Sequence, residues 1–172
     1  IFPKILLAGL IITGTIYLKL SPGASFPYSG AEEKTRAAFR YGYFTVGDMG
    51  WLDADGYLFI ADRKTDMIIT GGANVYPAEV EQVLYRHSKV LDVAVIGVPD
   101  DEMGESVKAI VELRAGESAT ADELIAFCRS DLAHYKCPKT VDFVAELPRE
   151  PQGKVLKRQL RERYWAGRAT RV

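Results

Sequence analysis

The sequence predicts an α+β protein. Residues 64–172 should form a small domain with a three-stranded sheet, a β-hairpin and flanking helices, and residues 1–63 a β-rich segment ahead of it. Three observations lead there. VLDVAVIGVP at 90–99, SVKAIVEL at 106–113 and TVDFVAEL at 140–147 read as strands. Val80, Val83 and Leu84, and again Leu156, Leu160 and Tyr164, recur at helical spacing. From Asp66 onward the elements run β, α, β, β, α, β, α.

The elements follow in order. ILLAGLII at 5–12 falls short of the ~20 apolar residues that a membrane span needs. Lys4 is its one leading charge and no cleavage site follows, so it reads as one or two strands whose partners lie upstream. The chain is accordingly read as the C-terminal piece of something larger. GTIYLKL at 14–20 alternates as a strand does, and Pro22, Gly23, Pro27 and Gly30 mark a loop. Residues 31–40 read as a short exposed helix ending near Gly42. Asp55-Gly56 between β-type runs is a hairpin signal that pairs Trp51-Leu52 with residues 57–60. DMIITGG at 66–72 is a strand closed by two glycines. Pro77, with Glu79 and Glu81 behind it, opens a helix with its acids on the positive end of the dipole. Thr120 and Glu123 predict a capping box for the next helix.

Composition narrows the function. The 172 residues are 48% hydrophobic and 26% charged with net charge −1, which argues against a nucleic-acid binder. Cys128, Cys137, His87 and His134 stand at no metal-ligand spacing, so no metal site is expected in this chain. Nothing demands a disulfide, and a reducing cytosol fits.

Candidate chemistry gathers at a few residues. Lys154 sits on a proline-bounded loop just before a basic helix. Gly153-Lys154 is no P-loop, because Pro148 and Val155 stand where Gly and Ser or Thr are required. Two readings stand: a solvated lysine, or a cation on a loop that reaches outward. Asp48 lies between Gly47 and Gly50, where another molecule can approach bare backbone. Its carboxylate suits both hydroxyls of a ribose, or it makes an Asx-type turn. Arg63 is either a salt-bridge partner of Asp62 or a phosphate or ribose donor. Gly71-Gly72 is a plain turn or a ligand passage. Lys157, Arg158, Arg161 and Arg163 read as a solvated helix face.

GDMGWLDADGYLFIADRKTDMIITGGANVYPAEVEQVL, followed further along by LPREPQGKVLKR, resembles the C-terminal portion of adenylate-forming enzymes, acyl-CoA synthetases (fatty-acyl-CoA ligases) in particular. The likeness runs from Gly14 to Tyr164. It implies a two-step ligase: ATP and a carboxylic acid, preferably fatty, give an acyl-adenylate and pyrophosphate, then a domain swings and the CoA thiol takes the acyl group. It implies that 1–63 is the end of a large N-terminal adenylation domain and 64–172 the mobile C-terminal domain. By the same resemblance Asp48 and Arg63 bind the nucleotide, Lys154 is the catalytic lysine, and Lys64 and Thr65 form the hinge. Gly71, Gly72, Lys136 and Lys139 lie on the CoA side. ATP with Mg would be held mainly by the large domain, which is also the partner that completes the site, so the fragment alone should be inactive. A cytoplasmic enzyme, at most peripheral to a membrane, is implied. Thr65 departs from the Asp or Lys common at the pivot, and Val46 from the Thr frequent before the Gly-Asp pair. Two alternatives remain: a peptide-synthetase-type adenylation module acting on a carrier protein, and a non-catalytic interaction module on the same fold.

Overall fold

A computed structural model describes residues 13–21 and 28–168. The one or two strands expected at 5–12 and most of the loop expected at 22–30 lie outside them. The chain forms two compact units, Ile1–Thr65 and Asp66–Val172.

The first unit is built from short β elements. β1 (Gly14–Thr15) pairs with β5 (Asp48–Leu52), and β2 (Leu18–Lys19) with β4 (Tyr43–Phe44). The single strand expected at 14–20 is therefore two dipeptides serving different sheets. The expected helix at 31–40 ends early: α1 (Glu32–Ala38) gives way to β3 (Phe39–Arg40), which pairs with β4. Aromatic Phe39 stacks obliquely on Phe44 across that ladder, and this cross-strand pairing outweighs continuation of a short helix. β5 pairs with β6 (Leu58–Arg63) as the hairpin signal requires, and Trp51 stacks on Phe59 at 4.2 Å. Its loop is longer than an Asp-Gly turn. The Asp53 carboxylate accepts the N–H groups of Asp55 and Tyr57, and Gly56 takes the positive φ of 89°.

The second unit is the α+β domain. β7 (Ile68–Thr70) and β8 (Ala73–Val75) form a hairpin where one strand was expected. Gly71 and Gly72 are its two-residue turn, with φ of 54° and 80°. A type I′ turn needs positive φ at both positions, which is why two glycines stand there. α2 (Pro77–Tyr85) follows with Pro at its start. β9 (Val90–Asp100) and β10 (Gly104–Leu113) form a long antiparallel hairpin. α3 (Ala121–Arg129) and a 3₁₀ turn at His134–Lys136 lead to β11 (Thr140–Val144), which runs parallel to β10, and α4 (Lys157–Trp165) closes the unit. β10 is the hub: β9 lies along one edge, while β11 and the β7–β8 hairpin share the other. The capping box is half made. Thr120 Oγ1 accepts the Glu123 N–H at 3.1 Å, but the Glu123 carboxylate turns to Lys89 at 2.8 Å.

The sheet buries both faces. Val93 and Val95 of β9, with Val107, Ala109 and Val111 of β10, pack under α2 and α3 through Val80, Leu84 and Leu124. Ala94, Ile96 and Val98, with Ile110, pack on the opposite face against Leu147 and Leu160 of α4. Each fully buried Leu or Ile stabilises by roughly 1.5–3 kcal/mol. α4 presents only half of the solvated basic face expected of it: Arg158 and Arg163 are exposed, but Lys157 and Arg161 are not. Lys157 meets Glu81 of α2 at 2.7 Å and Arg161 meets Asp66 at 2.7 Å, all four being largely buried. Their charges find acids on neighbouring elements.

Candidate functional site

In the first unit the β5–β6 register sets Asp48 directly opposite Arg63. Gly47, at φ 89°, turns the chain into β5, and its carbonyl accepts the Lys64 N–H at 2.7 Å. Arg63 Nε stands 3.9 Å from Asp48 Oδ1, with the arginine half-exposed and the aspartate less so. Asp62 Oδ1 accepts the Arg63 backbone N–H at 2.7 Å. A carboxylate and a guanidinium on adjacent strands offer one acceptor and one planar donor side by side, the complement of a polar sugar edge. Lys64 and Thr65 occupy the turn that follows, and the division between the two units falls just after Thr65.

In the second unit Lys154 sits on a preformed loop. The Gly153 N–H donates to the Glu150 carbonyl at 2.8 Å, closing a turn with Pro151 at its second position and Gly153 at φ 87°. The Glu150 N–H donates to the Lys154 carbonyl at 2.8 Å, Arg149 and Val155 form a β-bridge, and the Leu156 N–H reaches the Pro148 carbonyl at 2.8 Å. The Lys154 side chain is exposed, and among the described residues its ammonium has no acidic partner.

Elsewhere in that unit a cleft of about 770 Å³ opens between the Gly71 turn, α3 and the segment 134–139. Gly71 and Lys139 both line it, as do Arg129 and His134. The Gly71 N–H donates to the Met103 carbonyl at 2.9 Å, and a Cβ on Gly71 would lie 3.0 Å from Met103 Sδ, so the turn is pressed onto the β9–β10 connection. Lys139 Nζ donates to Asp100 at 2.7 Å. That bond, with the backbone N–H groups of Met103 and Glu102, holds the Asp100 carboxyl down to about 2. The same carboxylate pushes the Lys139 amine up. Lys136 points elsewhere: both Glu79 oxygens accept from it, at 2.7 and 2.8 Å. Cys137 also lines the cleft, but burial pushes its thiol up, away from the reactive thiolate. Sequence reasoning passed over Arg129 and Asp100. Neither has a local signal, because each reaches the cleft only through the packing of α3 and β9 around β10.

The first unit thus sets an acid and a guanidinium side by side on adjacent strands, and the second unit holds an exposed lysine on a braced turn. Comparison with known proteins shows what the chain is similar to. Residues 79–154 match the family of the AMP-binding enzyme C-terminal domain. A long-chain-fatty-acid–CoA ligase of Bacillus subtilis is 48% identical over 149 residues, which are 87% of this chain and 26% of the relative. A fatty acid–[acyl-carrier-protein] ligase of Streptomyces coeruleorubidus is 40% identical over 88% of this chain and 29% of its own length. The structure of o-succinylbenzoate CoA synthetase from Bacillus subtilis with its acyl-adenylate superposes with a TM-score of 0.79 at 38% identity, over 87% of this chain and 30% of that one. The chain thus spans between a quarter and a third of the relatives it matches, and its homologues are ligases of the adenylate-forming family.

Proposed function

We propose that this chain is the C-terminal part of an acyl-CoA synthetase, in which residues 1–63 end the large adenylation domain and 64–172 form the mobile domain. The observation that carries this reading is Lys154: it is held out on a braced loop and its ammonium meets no acid among the described residues, whereas the other lysines from Asp66 onward are all tied to acids. Adenylation concentrates negative charge at the α-phosphate as the carboxylate attacks, and two anions must approach each other. A cation delivered there lowers the barrier in proportion to how dry the closed site is. Lys154 supplies that charge. Asp48 and Arg63 take the ribose edge of the nucleotide, which arrives as ATP with Mg held by the large domain. Gly71 and Gly72 let the acceptor thiol's arm pass over bare backbone, and Lys139 and Lys136 attract its phosphates once they leave Asp100 and Glu79. Lys64 and Thr65 absorb the rotation between the two half-reactions. The substrate is a carboxylic acid, a fatty acid by the likeness to the Bacillus ligase, and the enzyme works in the cytoplasm. Among the described residues no helix is long and apolar enough to cross a membrane.

The test is a pair of rates in the complete ligase: pyrophosphate release with a series of acids, and thioester formation from pre-made acyl-adenylate. The Streptomyces relative favours a second reading of the acceptor, so CoA and a phosphopantetheinyl carrier protein should be compared directly. Transfer to CoA is expected; transfer to the carrier alone would move the chain to the second reading. Thr65→Pro, which fixes φ at the hinge, should spare one half-reaction and cripple the other. Equal mild loss in both would place the hinge elsewhere.

A further inference from the structure

The Lys154 loop is tied to the core sheet by a residue that the reaction scheme leaves unused. Asp92 lies on β9 and is 7% exposed. Its Oδ1 accepts the Val93 N–H at 2.8 Å and the Tyr85 hydroxyl. Its Oδ2 is sealed from solvent and accepts no hydrogen bond among the described residues; what it faces is the guanidinium of Arg149, through Nη2. The other arm of the same fork, Nη1, donates to the carbonyl of Gly153. Arg149 also forms the β-bridge with Val155 at the base of the loop. One guanidinium therefore joins a buried carboxylate in the sheet to the peptide unit from which Lys154 departs.

Burying a carboxylate is costly unless its charge is met. A surface arginine pair would not need a buried acid, and a lysine at position 149 would meet Asp92 without reaching Gly153 as well. The planar fork does both at fixed geometry. We infer that Arg149 is a positioning residue: anchored by Asp92, it fixes the Gly153–Lys154 peptide and so the direction in which the Lys154 ammonium is offered. The inference rests on the reading that Lys154 serves adenylation. The loop's backbone bonds give it shape, and the Arg149 fork gives it orientation relative to the sheet. Misplacing a catalytic group by about 1 Å can cost about 10²-fold in rate, which is the scale of effect at stake.

The experiment is a double-mutant cycle in the complete ligase with Lys154→Ala, Arg149→Ala and the pair together. Pyrophosphate release and thioester formation from supplied acyl-adenylate are read separately. Arg149→Ala is expected to slow pyrophosphate release by about 10–10²-fold and to leave thioester formation within a few-fold. The double variant should be no slower than Lys154→Ala, because a residue that acts through Lys154 has nothing left to position. Arg149→Lys should fall between wild type and Arg149→Ala. Amide hydrogen exchange at Glu150 and Gly153 should quicken in Arg149→Ala while the strands of the sheet keep their protection. Losses that multiply in the double variant, or equal slowing of both half-reactions, would show a merely structural role and overturn the inference. Should Lys154→Ala be impaired while Arg149→Ala is not, the brace alone fails. Should Lys154→Ala release pyrophosphate normally, the adenylation reading itself fails, and the positioning role with it.

Discussion

Residues 66–172 hold six lysines in two different conditions. Lys89, Lys108, Lys136, Lys139 and Lys157 each meet a carboxylate within 2.8 Å. Lys154 meets none among the described residues, although the loop that carries it is closed by three backbone hydrogen bonds. The difference separates two jobs that one residue type can do. A lysine whose ammonium already has a partner ties elements together: Lys157 joins α4 to α2, and Lys108 joins β10 to β11 through Asp142. A lysine on an ordered backbone with an unclaimed charge ties nothing together, and the role proposed for Lys154 requires that freedom.

The largest expected effect falls on the unclaimed lysine. In the complete ligase, Lys154→Ala should slow pyrophosphate release by roughly 10²–10³-fold, the loss typical of one charge-stabilising donor, with stability unchanged. Thioester formation from pre-made adenylate should stay within a few-fold. Unaltered pyrophosphate release would erase the contrast drawn here. Next comes the opposite case. Lys157→Ala should lower the unfolding free energy by about 2 kcal/mol, since it strips a largely buried Glu81 of its cation. Glu81 would keep the Val95 N–H, and activity per folded molecule should be preserved. A urea midpoint that does not move would show that Lys157 is as idle as a solvated lysine.

The smallest effect is a titration. Asp100 is held down to about 2, chiefly by the Lys139 ammonium. A lowered carboxyl value means a stabilising contribution that is present above the ordinary value of 3.8 and lost as pH falls through about 2. The raised amine of Lys139 gives the mirror case, present below its ordinary 10.5 and lost as pH rises through the folded value. The pair therefore holds across the whole neutral range. Following the Asp100 carboxyl by NMR in Lys139→Ala should show its midpoint rising toward 3.8, with the two turn N–H groups still holding it somewhat below. A midpoint that stays near 2 would assign the shift to the turn and break the link between Lys139 and the cleft.

Local chemistry was legible in the sequence wherever it was decided locally. Gly71-Gly72, Pro77 and the glycine-tipped turn before Lys154 each announce a backbone requirement that few residues meet. The helices and the long strands of the second unit fell where apolar periodicity set them. What periodicity does not carry is partnership across distance. The stretch 14–20 alternates like one strand, but its halves are claimed by β5 and β4. Phe39 and Arg40 have helix-compatible neighbours, yet they pair with β4. Lys157 and Arg161 of α4 look as solvated as Arg158 until Glu81 and Asp66 are folded against them. Arg149 lies inside the LPREPQGKVLKR stretch but was not singled out, because Asp92, which gives it meaning, lies on a different element. Asp48 and Arg63 were singled out on separate grounds, and only the β5–β6 register makes them neighbours.

The central place of β10 has a consequence for how the second unit assembles in time. β9 and β10 are joined by the three residues between Asp100 and Gly104, so their long ladder closes at little entropic cost. β11 reaches the same strand in parallel only after α3 has crossed, which makes its pairing a late and slow contact. Folding should therefore begin in the β9–β10 hairpin with α2 laid on it, and end with β11. In stopped-flow measurements Val95→Ala should mainly slow refolding, whereas Val141→Ala should mainly hasten unfolding.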